Sequence, residues 1–242
     1  MLSLRRLGRA LVGRDWYPRL EIRRRTRRLG TRYGGRHVAL EGIAADWVVY
    51  SFGIGKDLSF DLALIGQFGV TVHAFDPTPE SLSWIARQAL PAALLIHPYG
   101  LAERDGSREF FPPEDLQAVS HSVIERRRNR GPSITLPVKR LDSIAAELGH
   151  SRIDLLKLDI EGAEYAVIDG LEELRLRPRQ ILVEFHHRFR EVGLERTRRA
   201  VASLRRMGYG LFQVSSSGED YGFIYLGPGG YETRLPQPPP SP

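Results

Sequence analysis

Apolar and polar positions follow two rhythms along this chain. Dense apolar runs near residues 47–52, 70–75, 93–97, 153–159 and 180–186 predict short strands buried on both faces. Between them, apolar residues return at three- and four-residue spacing, which predicts helices near 58–67, 79–89, 162–173 and 193–207. Strands alternating with helices imply an α/β fold: a mostly parallel sheet with helices on both faces. The C-terminal part breaks the rhythm. Gly210–Val214 and Tyr221–Leu226 are separated only by SSSGED, which leaves no room for a helix, so they predict an antiparallel hairpin.

Three stretches stand apart from this alternation. Residues 101–152 form a long interval with a strand-like Arg108–Phe111, a basic ERRRNRG segment, a strand-like Ile134–Val138 and a short helix at Asp142–Leu148. An insertion of this size suits the shaping of a substrate pocket. The tail at 231–242 is Pro-rich and expected to be extended or disordered. Residues 1–36 form an arginine-rich arm, and Leu4, Leu7 and Leu11 predict that residues 1–30 are helical.

Charge sharpens that division. The net charge is +6, but residues 1–36 hold twelve arginines against Asp15 and Glu21, a net +10, which leaves −4 for residues 37–242. The arm accounts for the basicity, and the domain itself is not expected to bind nucleic acid. The arm reads first as a surface helix packing one apolar stripe on the domain. The sharper readings are peripheral contact with an anionic membrane surface or an acidic partner, and its composition overlaps with that of a mitochondrial transit peptide. There are no cysteines, which excludes disulfides, thiolate zinc sites and a Cys nucleophile and fits a reducing, cytoplasmic setting. No apolar run reaches the length of a transmembrane helix.

The candidate chemistry sits at strand ends. Ser51-Phe-Gly53-Ile-Gly55-Lys-Asp57 is a glycine turn between the first domain strand and its helix, where ligands of open α/β sheets bind. Asp76 ends the second strand at the offset of a ribose-binding acid. There is no third glycine at dinucleotide spacing and no phosphate-loop lysine motif, so a nucleoside ligand without a pyrophosphate fits better. In the fourth strand Lys157 and Asp159 share one side, opposite Leu156 and Leu158. Glu161 and Glu164 follow, where acids also suit a helix N-terminus. Glu184 and His186 end the fifth strand at two-residue spacing and can form an oriented general base. Asp159, Glu184 and His186 are chemically adequate for a divalent metal, but no diagnostic spacing indicates one.

Six segments carry a resemblance: YSFGIGKDLSFD, VHAFDPTPES, YGLAERDGSREFF, LPVKRLDSI, LLKLDIEGAEYAVIDGL and ILVEFHHRF. Together, from about Val48 to Phe189, they resemble the FkbM family of S-adenosylmethionine-dependent methyltransferases. The resemblance implies a Rossmann-like class I methyltransferase sheet over residues 37–230. It also implies methyl transfer to a hydroxyl of a sugar, polyketide or other small acceptor. It places Gly53 and Gly55 against the methionine part of the cofactor and Asp76 on the ribose. Asp159 falls near the methionine ammonium or the acceptor, and Glu184 and His186 face the acceptor. The chain departs from the family at Ser51, where an acid is usual, which shifts the holding of the amino group to Asp57 or Asp159. The alternatives are a nicotinamide-dependent oxidoreductase and a non-catalytic protein recruited to membranes by its arm. The missing third glycine and the C-terminal hairpin argue against the first.

Overall fold

Five parallel strands form the middle of the molecule: β3 (Val48–Phe52), β4 (Thr71–Phe75), β5 (Leu94–His97), β9 (Leu155–Leu158) and β10 (Gln180–Glu184). An antiparallel pair, β11 (Tyr209–Val214) and β12 (Asp220–Tyr225), completes one edge, giving the order β11-β12-β10-β9-β3-β4-β5. The expected parallel sheet with a C-terminal hairpin is therefore present. The computed structural model describes residues 4–113, 121–125 and 131–228. The Pro-rich tail and most of the ERRRNRG segment lie outside them.

Four helices run between strands of the large sheet: α2 (Ser59–Phe68), α3 (Pro79–Ile85), α5 (Glu164–Leu171) and α6 (Leu194–Arg206). The two-residue strand period sorts the core into two layers. Tyr50, Phe52, Leu156, Leu158, Ile181 and Val183 pack on one face with Tyr165, Ile168, Val201 and Leu204 of α5 and α6. Val49, Val72, Leu155 and Leu182 pack on the other with Phe60 and Leu64 of α2. Ser51 pairs in register with Lys157, so both face the α2 side.

The chain steps outward from β3 to β4 and β5, then crosses back to β9 and β10 on the other side of β3. That reversal opens a crevice at the carboxyl ends of β3 and β9, where open α/β sheets bind ligands. The insertion supplies β6 (Gly100–Leu101), β7 (Gly106–Phe110) and β8 (Ile134–Lys139), a second sheet in the order β6-β8-β7, followed by α4 (Leu141–Glu147).

The arm differs from the expected helix over residues 1–30. Helix α1 covers only Leu4–Leu11, and β1 (Thr26–Leu29) and β2 (Arg36–Ala39) then form an antiparallel hairpin. Tertiary packing outweighs the leucine spacing here. Glu21 and Ile22 donate their N–H groups to Leu211 O at the sheet edge, and Ile22, Leu29 and Val38 join the core. Even Arg6 is buried, with its guanidinium donating to Asp15, Ser215 O and Trp16 O. Gln180 of β10 ties the hairpin to the domain by accepting from Ala39 N and donating to Ala39 O.

Candidate active site

A cleft with roughly 980 Å³ of empty space, part of it open to solvent, lies at the carboxyl ends of β3, β4 and β9. Its walls include the glycine turn, Asp57, Asp61, Asp76, Lys157, Asp159 and Glu161. The insertion contributes Leu101, Phe110, His121 and Val123, and the β1–β2 hairpin contributes Tyr33 and Gly34.

Gly53 has a positive φ of 81°, and a Cβ there would lie 1.7 Å from Asp159 O. Only glycine lets the end of β3 approach the end of β9 so closely. Gly55 also has a positive φ, 56°, but a Cβ there would meet nothing within 4 Å. Asp76 holds the turn from the β4 side. Its Oδ2 accepts from Ile54 N and Gly55 N, both at 3.0 Å. Its Oδ1 accepts from Thr78 N at 2.9 Å and Thr78 Oγ1 at 2.6 Å. Four donors fill the four lone-pair positions of a carboxylate. A ribose hydroxyl would have to displace one of them, and the Thr78 hydroxyl is the mobile donor. That hydroxyl bonds Asp76 and Ser81 and makes no cap bond to the α3 backbone, although Thr78 stands at the N-cap position.

Asp57 is similarly engaged. It accepts from Thr31 Oγ1 at 2.6 Å, Gly34 N at 3.2 Å and Ser59 N at 2.7 Å, which fastens the hairpin loop to the start of α2. Burial raises its pKa, but these hydrogen bonds outweigh burial and hold it below the usual carboxylate value.

On the β9–β10 side one cation organises the acids. Arg36 is 5% exposed. It donates to Asp159 Oδ2 at 2.7 Å and to Glu184 Oε2, and its Nε lies 3.1 Å from Asp220 Oδ1. Lys157 donates to Gly53 O at 2.7 Å and Phe52 O at 3.3 Å, with Asp159 Oδ2 at 3.9 Å. Burial pushes Asp159 up, but Lys157 and Arg36 outweigh it and keep its pKa depressed. Glu184 is pushed up to about 8, by burial first and then by the Asp159 charge. Burial and the neighbouring Asp159 charge therefore favour the protonated form of Glu184.

His186 has a different partner from the one its spacing suggests. The strand ends at Glu184, so the two-residue period no longer governs residue 186. Its Nδ1 bonds Glu164, which is fully buried at the start of α5, and its Nε2 lies 3.4 Å from Glu161. Burial lowers its pKa, but Glu164 above all, then Glu161 and Asp159, raise it well above the usual value. The imidazole is thus a charged group at neutral pH, held between carboxylates. Glu161 itself adopts a positive φ of 51°, a strained backbone at the cleft mouth, and accepts a hydrogen bond from Ser122 Oγ through its carbonyl.

Asp159, Glu184 and His186 each offer a ligand atom within 4.8 Å of the others, as a metal site would require. The Arg36 guanidinium already contacts two of the three, so a dication there would meet a fixed positive charge.

Residues 55–211 match the Methyltransferase FkbM domain. The chain belongs to the FkbM methyltransferase family. It is similar to the 31-O-demethyl-FK506 methyltransferase FkbM of Streptomyces tacrolimicus, 27% identical over 169 residues, covering 57% of this chain and 65% of that protein. The human probable methyltransferase-like protein 24 is 27% identical over 140 residues, covering 57% of this chain and 32% of that protein. A third relative, the AMB antimetabolite synthetase AmbE of Pseudomonas aeruginosa, is 40% identical over 91 residues, 35% of this chain and 4% of its own length. The chain thus spans about two thirds of the first relative and about a third of the second. No solved structure matches. Among the described residues, no helix is long and apolar enough to cross a membrane.

The site uses residues that the sequence pattern did not single out: Arg36, Asp61, Glu164 as the partner of His186, and Tyr33. The hairpin carrying Arg36 and Tyr33 has a local signal, Gly34-Gly35 between Leu29 and the alternating segment Arg36–Ala39. The charge density of the arm masks it.

Proposed function

We propose that this chain is an S-adenosylmethionine-dependent O-methyltransferase acting on a small hydroxylated acceptor. The observation that carries the reading is the cleft itself, which joins a glycine-backed turn to Asp159, the member of the Arg36-held acid cluster that lines it. The close approach of β3 and β9 at Gly53, at the carboxyl ends of the sheet, suits a nucleoside-bearing ligand. The first relative's name specifies an O-methyl position, which favours oxygen as the methylated atom.

The bound cofactor supplies an electrophilic methyl group on a sulfonium. In this reading the Gly53–Gly55 turn and Asp76 seat the adenosine and methionine parts. Leu101, Phe110 and Val123 exclude water on the acceptor side. Asp159 faces the acceptor hydroxyl, orients it and passes its proton to the pair it forms with Glu184, while Arg36 stabilises the ionised pair. His186, already protonated, serves as a fixed charge that keeps Glu161 and Glu164 in place. This moves the base away from the His186–Glu184 arrangement that the spacing suggests.

The test is transfer of isotope-labelled methyl to a panel of sugars and polyketide alcohols across pH. The expected rate rises as Glu184 loses its proton, with a midpoint near the value of about 8, and the rise disappears in Glu184→Gln. A rise with pH that persists in Glu184→Gln and is abolished in His186→Ala would return the base to the imidazole. Labelled product on nitrogen or carbon alone would refute the O-directed reading.

A second reading concerns a partner rather than the chemistry. Leu7, Leu11 and Val12 are 43%, 81% and 69% exposed beside Arg9 and Arg14. Such a patch suits an anionic membrane surface. Deleting residues 1–36 would also remove Arg36 from the site, so the test is Leu11→Ser with Val12→Ser. Binding to anionic liposomes is expected to fall with cofactor affinity unchanged, and equal liposome binding would remove the idea.

A further inference from the structure

One buried carboxylate in the cleft has no part in the arrangement described so far. Asp61 lies in the first turn of α2, is 2% exposed and lines the cleft. Its Oδ1 has no hydrogen-bond donor. Leaving a buried acceptor unmatched is costly, and more so for a charged one. Helix α2 is otherwise apolar on this side, with Phe60 and Leu64 in the core. An acid here is unfavourable for packing and calls for a ligand.

The other acids lining the cleft are already engaged. Asp76 has four donors and Asp57 three. Asp159 is paired with Arg36, and Glu161 with His186. Among the described residues, Asp61 is the acid of the cleft that keeps a buried oxygen without a donor. Its surroundings favour a charged group without closing the site. Lys157 lies close enough to favour the ionised carboxylate, yet its ammonium donates to Phe52 O and Gly53 O. The fully buried Ser51 hydroxyl makes no well-formed hydrogen bond, although it too favours the Asp61 anion. Burial is the largest influence and raises the Asp61 pKa overall, as expected of a carboxylate awaiting a cation.

We propose that Asp61 receives the α-ammonium group of the methionine end of S-adenosylmethionine, taking the place that neither Ser51, Asp57 nor Asp159 is free to fill. This rests on the cofactor reading above. Asp61 then acts as a binding residue, and the ammonium supplies the donor that its Oδ1 lacks. The cofactor's amino-acid end would point under the glycine turn toward α2, and its methyl group would remain on the side of Asp159.

The experiment is calorimetric titration of wild type, Asp61→Asn and Asp61→Ser with two probes, S-adenosylhomocysteine and 5′-methylthioadenosine. The second keeps the nucleoside and sulfur but lacks the amino-acid end. Both variants are expected to lose about tenfold or more in affinity for S-adenosylhomocysteine. Affinity for methylthioadenosine should stay within about twofold, which also shows that the cleft is folded. Unchanged affinity for S-adenosylhomocysteine, or an equal loss for both probes, overturns the assignment. Should neither variant fold, wild type is titrated with the deaminated analogue of S-adenosylhomocysteine. Binding at least about tenfold weaker than the parent supports the proposal, and equal binding overturns it. If wild type binds neither adenosyl probe, the cofactor reading itself fails and takes this inference with it.

Discussion

The two sides of the cleft achieve order in opposite ways. On the β3–β4 side, Asp76 is held by donors from residues 54, 55 and 78, all close in sequence, and every lone pair is matched. On the β9–β10 side, Asp159, Glu184 and Asp220 depend on Arg36, which is 123 and 148 positions away from the first two. The first side is a template of three backbone N–H groups and one hydroxyl, all neutral. The second is a cluster of acids, one of them with a raised pKa, held by a buried cation; in the proposed reading its protonation changes when an acceptor binds. A methyl transferase needs both, since cofactor seating rewards preorganisation and deprotonation rewards a group that can switch.

The comparison breaks most visibly at Arg36. Arg36→Ala takes the guanidinium from Asp159, Glu184 and Asp220, leaving only Lys157 beside Asp159, and is expected to destabilise the fold by about 3–5 kcal/mol in denaturant unfolding. A loss under about 1 kcal/mol would show that the acid cluster does not depend on this cation. The template side should be most sensitive at Gly53, where Gly53→Ala drives a Cβ into Asp159 O and is expected to cost about 3 kcal/mol. Gly55→Ala meets open space, so only the left-handed backbone conformation counts, about 1–2 kcal/mol. Equal melting temperatures for the two variants would mean that the close approach of β3 and β9 is not what the glycine provides.

A smaller effect lies away from the cleft. His73 is buried beside His97 and His150, and burial first, then these neighbours, lower its pKa to about 4. A depressed histidine contributes stability that is present above its unfolded value near 6.5 and lost as pH falls toward 4. His186 is the opposite case. Its contribution is full below 6.5 and is lost as pH rises through its elevated folded value. Melting temperature should therefore fall on both sides of neutrality. Glu164→Gln should flatten the alkaline side alone, and an unchanged alkaline limb would contradict the His186 pairing.

The sequence made the sheet legible because its strands are apolar on both faces and its helices are short and periodic. Asp76 and the glycine turn could be placed because their partners lie within one strand-turn-helix unit. Arg36 could not, because nothing in an arginine-rich arm distinguishes one arginine from eleven others until the hairpin closes on β10. The His186 partner was missed because the chain leaves the strand at Glu184, and residue parity loses its meaning there. Asp61 was legible in principle, as an acid between Phe60 and the apolar residues that follow it in a buried helix. Its meaning emerges only once every neighbouring acid has a donor.

The most direct test of the central claim is calorimetry of the wild-type protein with S-adenosylhomocysteine and with NAD, in the presence of EDTA. Saturable binding of S-adenosylhomocysteine, with no heat from NAD, is the predicted result. Binding of NAD without S-adenosylhomocysteine, or of neither, would contradict it.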